Sequence, residues 1–316
     1  MKILSKINDF IEKDYKSSNL NCGFMINPYN FAEAPLPSAT RGVFGGGFTP
    51  TLQNVMDYIT IATTGNAIDF GDLTVARYGH GACASATRGL YAGGYNGTSN
   101  YNIIDYITIA TTGNAIDFGD LTVARRSTDG CASSTRGLFA GGFISANTDI
   151  IDYVTIATTG NAIDFGDLTV ARHEPGSCST ATRGVFAGGS AGADTNVIDY
   201  VTIATTGNAT DFGDLTVARG HAGGCASATR GVFAGGFNLN VIDYITIATT
   251  GNAIDFGDLT VARGAGGCSS ATRGVFGGGY ASHNVIDHIT IATTGNATDF
   301  GDLTVGRSNP VACAGS

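Results

Sequence analysis

Four histidines are the residues of this sequence best suited to hold a metal ion, because neutral imidazole is a ready ligand for zinc and copper. His80, His173, His221 and His283 lie in polar or glycine-rich segments between predicted strands. They belong to four different copies of a repeat, and no two of them share a local ligand spacing. We therefore predict no metal site and no cofactor.

Three aspartates and two arginines recur in every repeat, which bears on acid/base chemistry. The second copy contributes Asp105, Asp117 and Asp120 together with Arg88 and Arg125. Paired carboxylates can perform acid/base catalysis, but six copies of one arrangement favour a structural role. We expect the arginines to bridge repeats through carboxylates and turn carbonyls, and we predict no catalytic residues and no enzyme.

Six of the seven cysteines occupy one equivalent position per repeat. Their neighbours are alanine, serine and glycine, which are small enough for a crowded centre. A free cysteine behaves there as a small hydrophobe, and a repeated position favours packing over a disulfide framework. The six are Cys83, Cys131, Cys178, Cys225, Cys268 and Cys313.

These residues are positioned by six near-identical repeats. A period near 45 with several short strands per repeat is typical of propeller blades, since one blade cannot bury both of its faces alone. We predict an all-β, six-bladed propeller with four antiparallel strands per blade. The repeats begin at Arg-Gly dipeptides whose arginines are Arg41, Arg88, Arg136, Arg183, Arg230 and Arg273.

The second repeat shows the four strands, which we name a, b, c and d from the centre outward. They are predicted over 81–86, 88–94, 102–111 and 115–121. The third carries apolar residues on both faces, as expected for a strand between neighbouring blades. A Thr-Gly-Asn turn joins c to d.

The same repeat resembles the kelch family. It reads RYGHG at 77–81, an aromatic and a diglycine at 91–94, Tyr106, the FGDL segment at 118–121, and Arg125. The resemblance covers roughly residues 36 to 316 and implies a kelch-like β-propeller, although no repeat has the usual tryptophan and the c to d segment is longer than usual. The repeated TIATTGNA(I/T)DFGDLTV(A/G)R unit is also similar to kelch-like repeats in proteins of tailed phages and marine viruses.

Charge and hydropathy exclude some partners. The net charge is −9, and twelve repeat arginines face eighteen repeat aspartates. An acidic body makes a nucleic-acid partner unexpected. There is no apolar run long enough to span a membrane, and the first residues alternate charged with apolar positions. We therefore expect no membrane span and no Sec-type secretion.

The repeats differ from one another in two loops, the one after the diglycine and the one after the closing arginine. In an antiparallel blade both loops emerge at the same edge, so the variation collects on one side of the disc, which we call the varied face. The opposite side repeats SATRG and TTGN and is called the uniform face. We predict partner binding on the varied face, although loops can also vary wherever packing permits. The candidate residues are Tyr95, Asn96, Tyr101, Phe143, His80, His173, His221 and His283.

Residues 1–37 form a separate segment, with an apolar stripe at helical spacing in the first 16 residues and three prolines after it. We predict a short amphipathic N-terminal helix and a linker, followed by the propeller over 38–316. The helix is expected to dock into a protein assembly.

The function predicted is a non-catalytic structural or adhesion component, most specifically of a virion tail or fibre assembled in the host cytoplasm. Its varied face would bind a host-surface protein or glycan. The alternatives are a glycan-active or metal-dependent propeller enzyme and an intracellular kelch-type adaptor.

Ring closure has two candidate strands. Cys313 follows Arg307 by six residues, as Cys83 follows Arg77, so the chain ends on a strand a without a strand b. The rival segment at 34–38 contains prolines, which cannot donate to a ladder. We predict that 311–315 pairs with 42–46.

Overall fold

The computed structural model describes residues 41–315, which form six four-stranded antiparallel sheets. The predicted all-β, six-bladed propeller is therefore confirmed, while the predicted N-terminal helix and linker lie outside the described residues. No helix in the described part of the chain could cross a membrane. In chain order the strands are β1 (Arg41–Thr49), β2 (Thr51–Thr60), β3 (Ile68–Asp72), β4 (Gly81–Ala84), β5 (Arg88–Ala92), β6 (Ile103–Thr108), β7 (Ile116–Asp120), β8 (Asp129–Ala132), β9 (Arg136–Ala140), β10 (Ile150–Thr155), β11 (Ile163–Asp167), β12 (Gly176–Ser179), β13 (Arg183–Ala187), β14 (Val197–Thr202), β15 (Thr210–Asp214), β16 (Gly223–Ala226), β17 (Arg230–Gly236), β18 (Leu239–Thr246), β19 (Ile254–Asp258), β20 (Gly266–Ser269), β21 (Arg273–Gly277), β22 (Val285–Thr290), β23 (Thr298–Asp302) and β24 (Val311–Ala314).

The a strands are innermost, because they pack against one another around the axis. Their small residues are required by this approach. A Cβ at Gly81 would lie 3.0 Å from the Cα of Asp129 in the next blade, and a Cβ at Gly224 would overlap the carbonyl oxygen of Ser177. The glycine- and alanine-rich composition of these strands therefore follows from the convergence of six backbones.

The end of the chain closes the ring, as predicted. Strand β24 pairs antiparallel with β1, and the register joins Gly42 to Ala314 and Gly45 to Val311. The first blade has the order β24-β1-β2-β3, so its innermost strand comes from the C-terminal end and its other three from the start of the described chain. The seam is thus made of backbone hydrogen bonds within one sheet.

Apolar packing joins each blade to the next. In one buried cluster Ile104 and Phe118 of the second blade pack with Phe139, Val154 and Ile156 of the third. Since the cluster belongs to two blades, neither blade could bury it alone. This explains why strand c carries apolar residues on both faces.

A buried ion pair latches every neighbouring pair of blades. Between blades two and three, Arg125 Nη1 lies 2.7 Å from Asp152 Oδ2, and both side chains are fully buried. Thr122 donates its backbone N–H and its hydroxyl to the same carboxylate, at 3.1 and 2.6 Å. Arg125 also donates to the carbonyl of Phe139. The equivalent pairs are Arg77–Asp105, Arg172–Asp199, Arg219–Asp243, Arg263–Asp287 and Arg307–Asp57.

The other repeated arginine, at the start of strand b, binds the turn after strand c of the following blade. Arg88 donates from Nη1 to the carbonyls of Ile156 and Ala157, both at 3.0 Å, and its guanidinium lies 4.7 Å from the ring centroid of Tyr106. The bridging role that the sequence predicted for both arginines is confirmed.

The turns of the uniform face are fixed by contacts with the preceding blade. Asn114 accepts a hydrogen bond from the backbone N–H of Asp72 at 3.1 Å, and Gly113 donates its N–H to the carbonyl of Phe70. A Cβ at Gly71 would lie 2.5 Å from the carbonyl oxygen of Gly113. The uniform face is therefore held by inter-blade packing, which explains why its sequence repeats.

The hub cysteines are packing residues. All six are free and buried, and each sulfur lies over the Arg-Gly glycine of the next blade. Cys131 Sγ, for example, lies 2.7 Å from where a Cβ would stand at Gly184. Burial raises the pKa of the Cys131 thiol well above its usual value, so the reactive thiolate is disfavoured.

Candidate binding face

The two variable loops of each blade meet on one side of the disc, as predicted. The residue after a closing arginine bridges to the residue after a diglycine, which places Tyr78 beside Tyr95 and Arg126 beside Phe143. His173 bridges to Ser190 in the same way. These bridges bring side chains from different repeats into contact.

Aromatic rings in edge-to-face contact and one arginine form a continuous group across blades one to three. The ring centroids of Phe48 and Tyr78 are 6.0 Å apart, and those of Tyr78 and Tyr95 are 5.7 Å apart. The guanidinium of Arg126 lies 4.4 Å from the Tyr95 centroid and 4.7 Å from that of Phe143. Arg126 is the one arginine outside the repeat pattern. This group presents residue types that are common at protein interfaces.

Two other predicted residues shape the loop of blade two from within. Asn96 donates from Nδ2 to the Tyr101 hydroxyl at 3.1 Å and accepts two backbone N–H groups of its own loop. The following Asn100 donates to the carbonyls of Phe143 and Ile144 in blade three. Asn96 and Tyr101 therefore set the form of a loop that is tied to the next blade.

A carboxylate joins two of the predicted histidines. Glu174 Oε1 lies 2.8 Å from His221 Nε2, and Glu174 Oε2 lies 3.9 Å from His173 Nε2. The hydroxyl oxygen of Ser127 lies 3.5 Å from Glu174 Oε1. Burial raises the pKa of Glu174, but the hydrogen bond and charge of His221, with smaller contributions from His173 and Ser127, outweigh burial. The net pKa is lower than usual.

An exposed aromatic group lies on blades five and six. His221 and Phe237 meet edge to face with centroids 4.4 Å apart, and Phe237 and Tyr280 meet at 5.4 Å. Phe237 is 38% exposed and Tyr280 51%. The segment after Arg263 is Gly-Ala-Gly-Gly, so its only side chain is the methyl group of Ala265.

The remaining two predicted histidines differ in position. His80 is 1% exposed and packs against Tyr91 and the backbone of Gly46, so it lies beneath the varied face rather than on it. Neither of its ring nitrogens has a hydrogen-bond partner among the described residues. His283 is half-buried on blade six, and its carbonyl accepts the backbone N–H of Arg307.

An axial cavity opens between the loops that follow the closing arginines. The space in it that a water-sized molecule can reach is about 110 Å³, and its wall includes His80, Asp129, Glu174, His221 and Asn309. Residues from all six blades reach it, because the hub strands begin there. Polar side chains of different repeats converge in it.

The mouth of this cavity is built on strained backbone. Four residues before the hub cysteine, five blades adopt positive φ; one of them uses glycine, and the others use Ser127, Glu174, His221 and Asn309 with φ of 52 to 58°. Backbone bonds run between them, from Glu174 N–H to Ser127 O and from His221 N–H to Glu174 O. Non-glycine residues in this region cost on the order of 1 kcal/mol each.

Asp129 breaks the hub pattern. Four blades have glycine at its position and one has Val311. Its carboxylate accepts the Ser177 hydroxyl at 2.9 Å. Burial raises the pKa of Asp129 to about 7, although hydrogen bonds from Gly130, Ser177 and Ala82 act in the opposite direction. A half-buried carboxyl with this pKa is typical of functional positions.

Asp129→Asn is expected to stabilise the fold only at high pH. The pKa of Asp129 rises from an ordinary 3.8 to about 7 in the folded state, so folding stability is lost as the pH rises through that interval. At about 1.4 kcal/mol per pKa unit, the substitution should raise the free energy of unfolding by about 2 to 4 kcal/mol at pH 8 and by almost nothing at pH 4.

Urea unfolding at pH 4, 6 and 8 measures this effect. Asp117→Asn, which removes an exposed carboxylate of strand d, is the matched control for the loss of one charge. A gain from Asp129→Asn that stays constant with pH would contradict the raised pKa.

Sequence reasoning missed six members of this face, two of them acidic, two uncharged and polar, and two aromatic: Asp129, Glu174, Ser127, Asn309, Phe237 and Tyr280. The signal was available for Asp129 and Glu174, because each differs from the residue at the same place in the other repeats. Among residues 41–315 no three His, Cys, Asp or Glu side chains are placed to hold a metal ion together.

The comparisons with known proteins give no relative from which a role could be taken. The chain matches no protein-family model, and no curated protein matches its sequence. The varied face must therefore be interpreted from its own chemistry.

Proposed function

We propose that this chain is a non-catalytic propeller that binds a protein or glycan partner through its varied face. The main support is the chemical difference between the uniform face and the varied face. On the uniform face, polar groups form hydrogen bonds between blades, such as that from the backbone N–H of Asp72 to Asn114. The varied face presents exposed Phe237 and Tyr280 and an arginine stacked between aromatic rings. Aromatic residues and arginine supply most of the binding energy at interfaces.

Rigidity supports the same proposal. Asn100 ties the loop of blade two to blade three, and Asn147 ties the next loop to the carbonyl of Ser190. Loops held in this way lose little conformational entropy when a partner binds.

The test compares two variants of the intact chain on a printed glycan array and a displayed peptide library. Phe237→Ala with Tyr280→Ala changes the varied face, and Thr112→Ala with Thr250→Ala changes exposed positions of the uniform face. We expect the first variant to lose at least about tenfold in affinity for the ligands that the wild type retains, as removal of hot-spot aromatics does, and the second to bind like the wild type. Loss in the second variant alone, or no ligand for the wild type, would overturn the proposal.

A glycan-active enzyme is the second candidate, and the Glu174–His221 pair favours it. A histidine oriented by a carboxylate can act as a general base, and Asp129 on the same cavity could donate a proton. Release of reducing sugar from array-positive glycans, abolished by His221→Gln, would support this candidate over a pure binding role.

A virion tail or fibre is the most specific setting that we propose for the module. Its support is the similarity of the TIATTGNA(I/T)DFGDLTV(A/G)R unit to repeats in viral proteins. The segment proposed to dock into the assembly, residues 1–37, lies outside the described residues. Mass spectrometry of purified virions tests this setting, and absence of the chain from them would contradict it.

A further inference from the structure

We propose that the axial cavity binds the uncharged terminal sugar of a glycan, end-on, with the exposed rings of Phe237 and Tyr280 as the platform for the rest of the chain. This inference rests on the proposed function and deepens it. The inference concerns the residues at the mouth of the axial cavity, which differ from one blade to the next.

The polar groups of the cavity have both hydrogen-bonding senses. Asp129 and Glu174 are acceptors, Ser127 both donates and accepts, and the amide of Asn309 carries one group of each kind. His221 keeps a second ring nitrogen beyond its bond to Glu174. Sugar hydroxyls donate and accept at once, so a polyhydroxylated ring can satisfy this mixture.

A buried imidazole in the cavity wall is compatible with this ligand. His80 is 1% exposed, and neither of its nitrogens has a hydrogen-bond partner among residues 41–315. A buried polar group without a partner costs about 1 to 3 kcal/mol. A hydroxyl at the floor of the cavity could supply the missing bond.

Charge excludes the other small-ligand classes. The cavity wall contains two carboxylates and neither lysine nor arginine among its described residues, so it would repel sialic acid and other anionic sugars. An ammonium group donates only, and it would leave the imidazole and amide donors without an acceptor. A neutral sugar matches both the carboxylates and the donors.

The aromatic group adjoins the cavity through His221, which belongs to the cavity wall and whose ring centroid lies 4.4 Å from that of Phe237. The Gly-Ala-Gly-Gly segment at 264–267 contributes backbone and one methyl group to the wall of the cavity. Phe237 and Tyr280 are among the most exposed large apolar side chains of the varied face. An apolar ring face of a second sugar could stack there while the first occupies the cavity.

The experiment titrates the intact chain with galactose, glucose, mannose, N-acetylglucosamine and fucose, followed by saturation-transfer NMR and calorimetry. Sialic acid and a lysine-terminated peptide are the charged comparisons. We expect at least one neutral sugar to bind at millimolar concentration. Glu174→Gln and Asp129→Asn should each weaken it at least about tenfold, as loss of a charge-assisted hydrogen bond does. Asp117→Asn, outside the cavity, should leave binding unchanged.

Three results would overturn the inference: no neutral sugar bound, stronger binding of sialic acid or the peptide, or full retention of sugar binding in both cavity variants. The proposed function is judged separately on the array and the peptide library. A peptide that needs Phe237 and Tyr280, found together with no sugar binding, would leave the varied face as a protein-binding surface and remove only the sugar.

Discussion

Deletion of residues 309–316 is expected to open the ring and lower its stability by about 5 kcal/mol or more. The deletion removes β24, whose four residues pair with Gly42–Gly45, and takes the buried Cys313 from the packing over Gly89. The loss combines ladder hydrogen bonds with several buried side chains. It also exposes β1 as a free edge, which invites pairing between molecules.

Thermal unfolding and light scattering measure both effects. A chain that ends at Gly315 is the control, because it keeps all of β24. The buried Arg307–Asp57 pair and the Phe48–Ser308 bridge remain in the deletion variant, so its expected loss belongs to the strand itself. An unchanged melting temperature without new aggregates would show that the seam does not depend on β24.

Asp152→Ala is expected to cost about 3 to 5 kcal/mol, because it leaves the buried Arg125 guanidinium without its counter-charge. Thr122 loses two hydrogen bonds in the same change. Chemical denaturation measures the loss. Asp117→Ala, at an exposed aspartate on strand d of blade two, should keep the free energy of unfolding within about 0.5 kcal/mol of the wild-type value.

The double variant Arg125→Met with Asp152→Leu separates burial of charge from loss of packing. Since an apolar pair of similar volume leaves no charge without a partner, it should be more stable than Asp152→Ala alone. If Asp152→Ala and Asp117→Ala lost the same stability, the latch would not hold the blades together.

The architecture could be predicted because equivalent residues recur at regular intervals along the chain. The position of Cys313 after Arg307 matched Cys83 after Arg77, and it identified the closing strand before any contact was known. The bridging role of the arginines followed from their repetition. Which aspartate each one meets did not follow, because the partner of Arg125 lies on strand c of the next blade, 27 residues later.

The site was less predictable, because it depends on contacts between repeats. Glu174 and His221 are 47 residues apart, and only the rotation from one blade to the next brings them to 2.8 Å. The positive φ of Ser127 and Asn309 leaves no mark in sequence when the residue is not glycine. His80 was expected on the varied face with the other loop histidines, but the adjoining diglycine of blade one admits its ring beneath the surface.

We propose that the five non-glycine residues Ser127, Asp129, Glu174, His221 and Asn309 at the mouth of the axial cavity serve binding rather than stability. A variant with glycine at all five positions tests this: Ser127→Gly, Glu174→Gly, His221→Gly, Asn309→Gly and Asp129→Gly together. Its melting temperature and its affinity for the ligands that the wild type retains are measured side by side. We predict a melting temperature close to that of the wild type, since glycine relieves the strain of positive φ while the Glu174–His221 pair is lost, together with loss of binding. A much lower melting temperature, or binding that survives, would contradict the account.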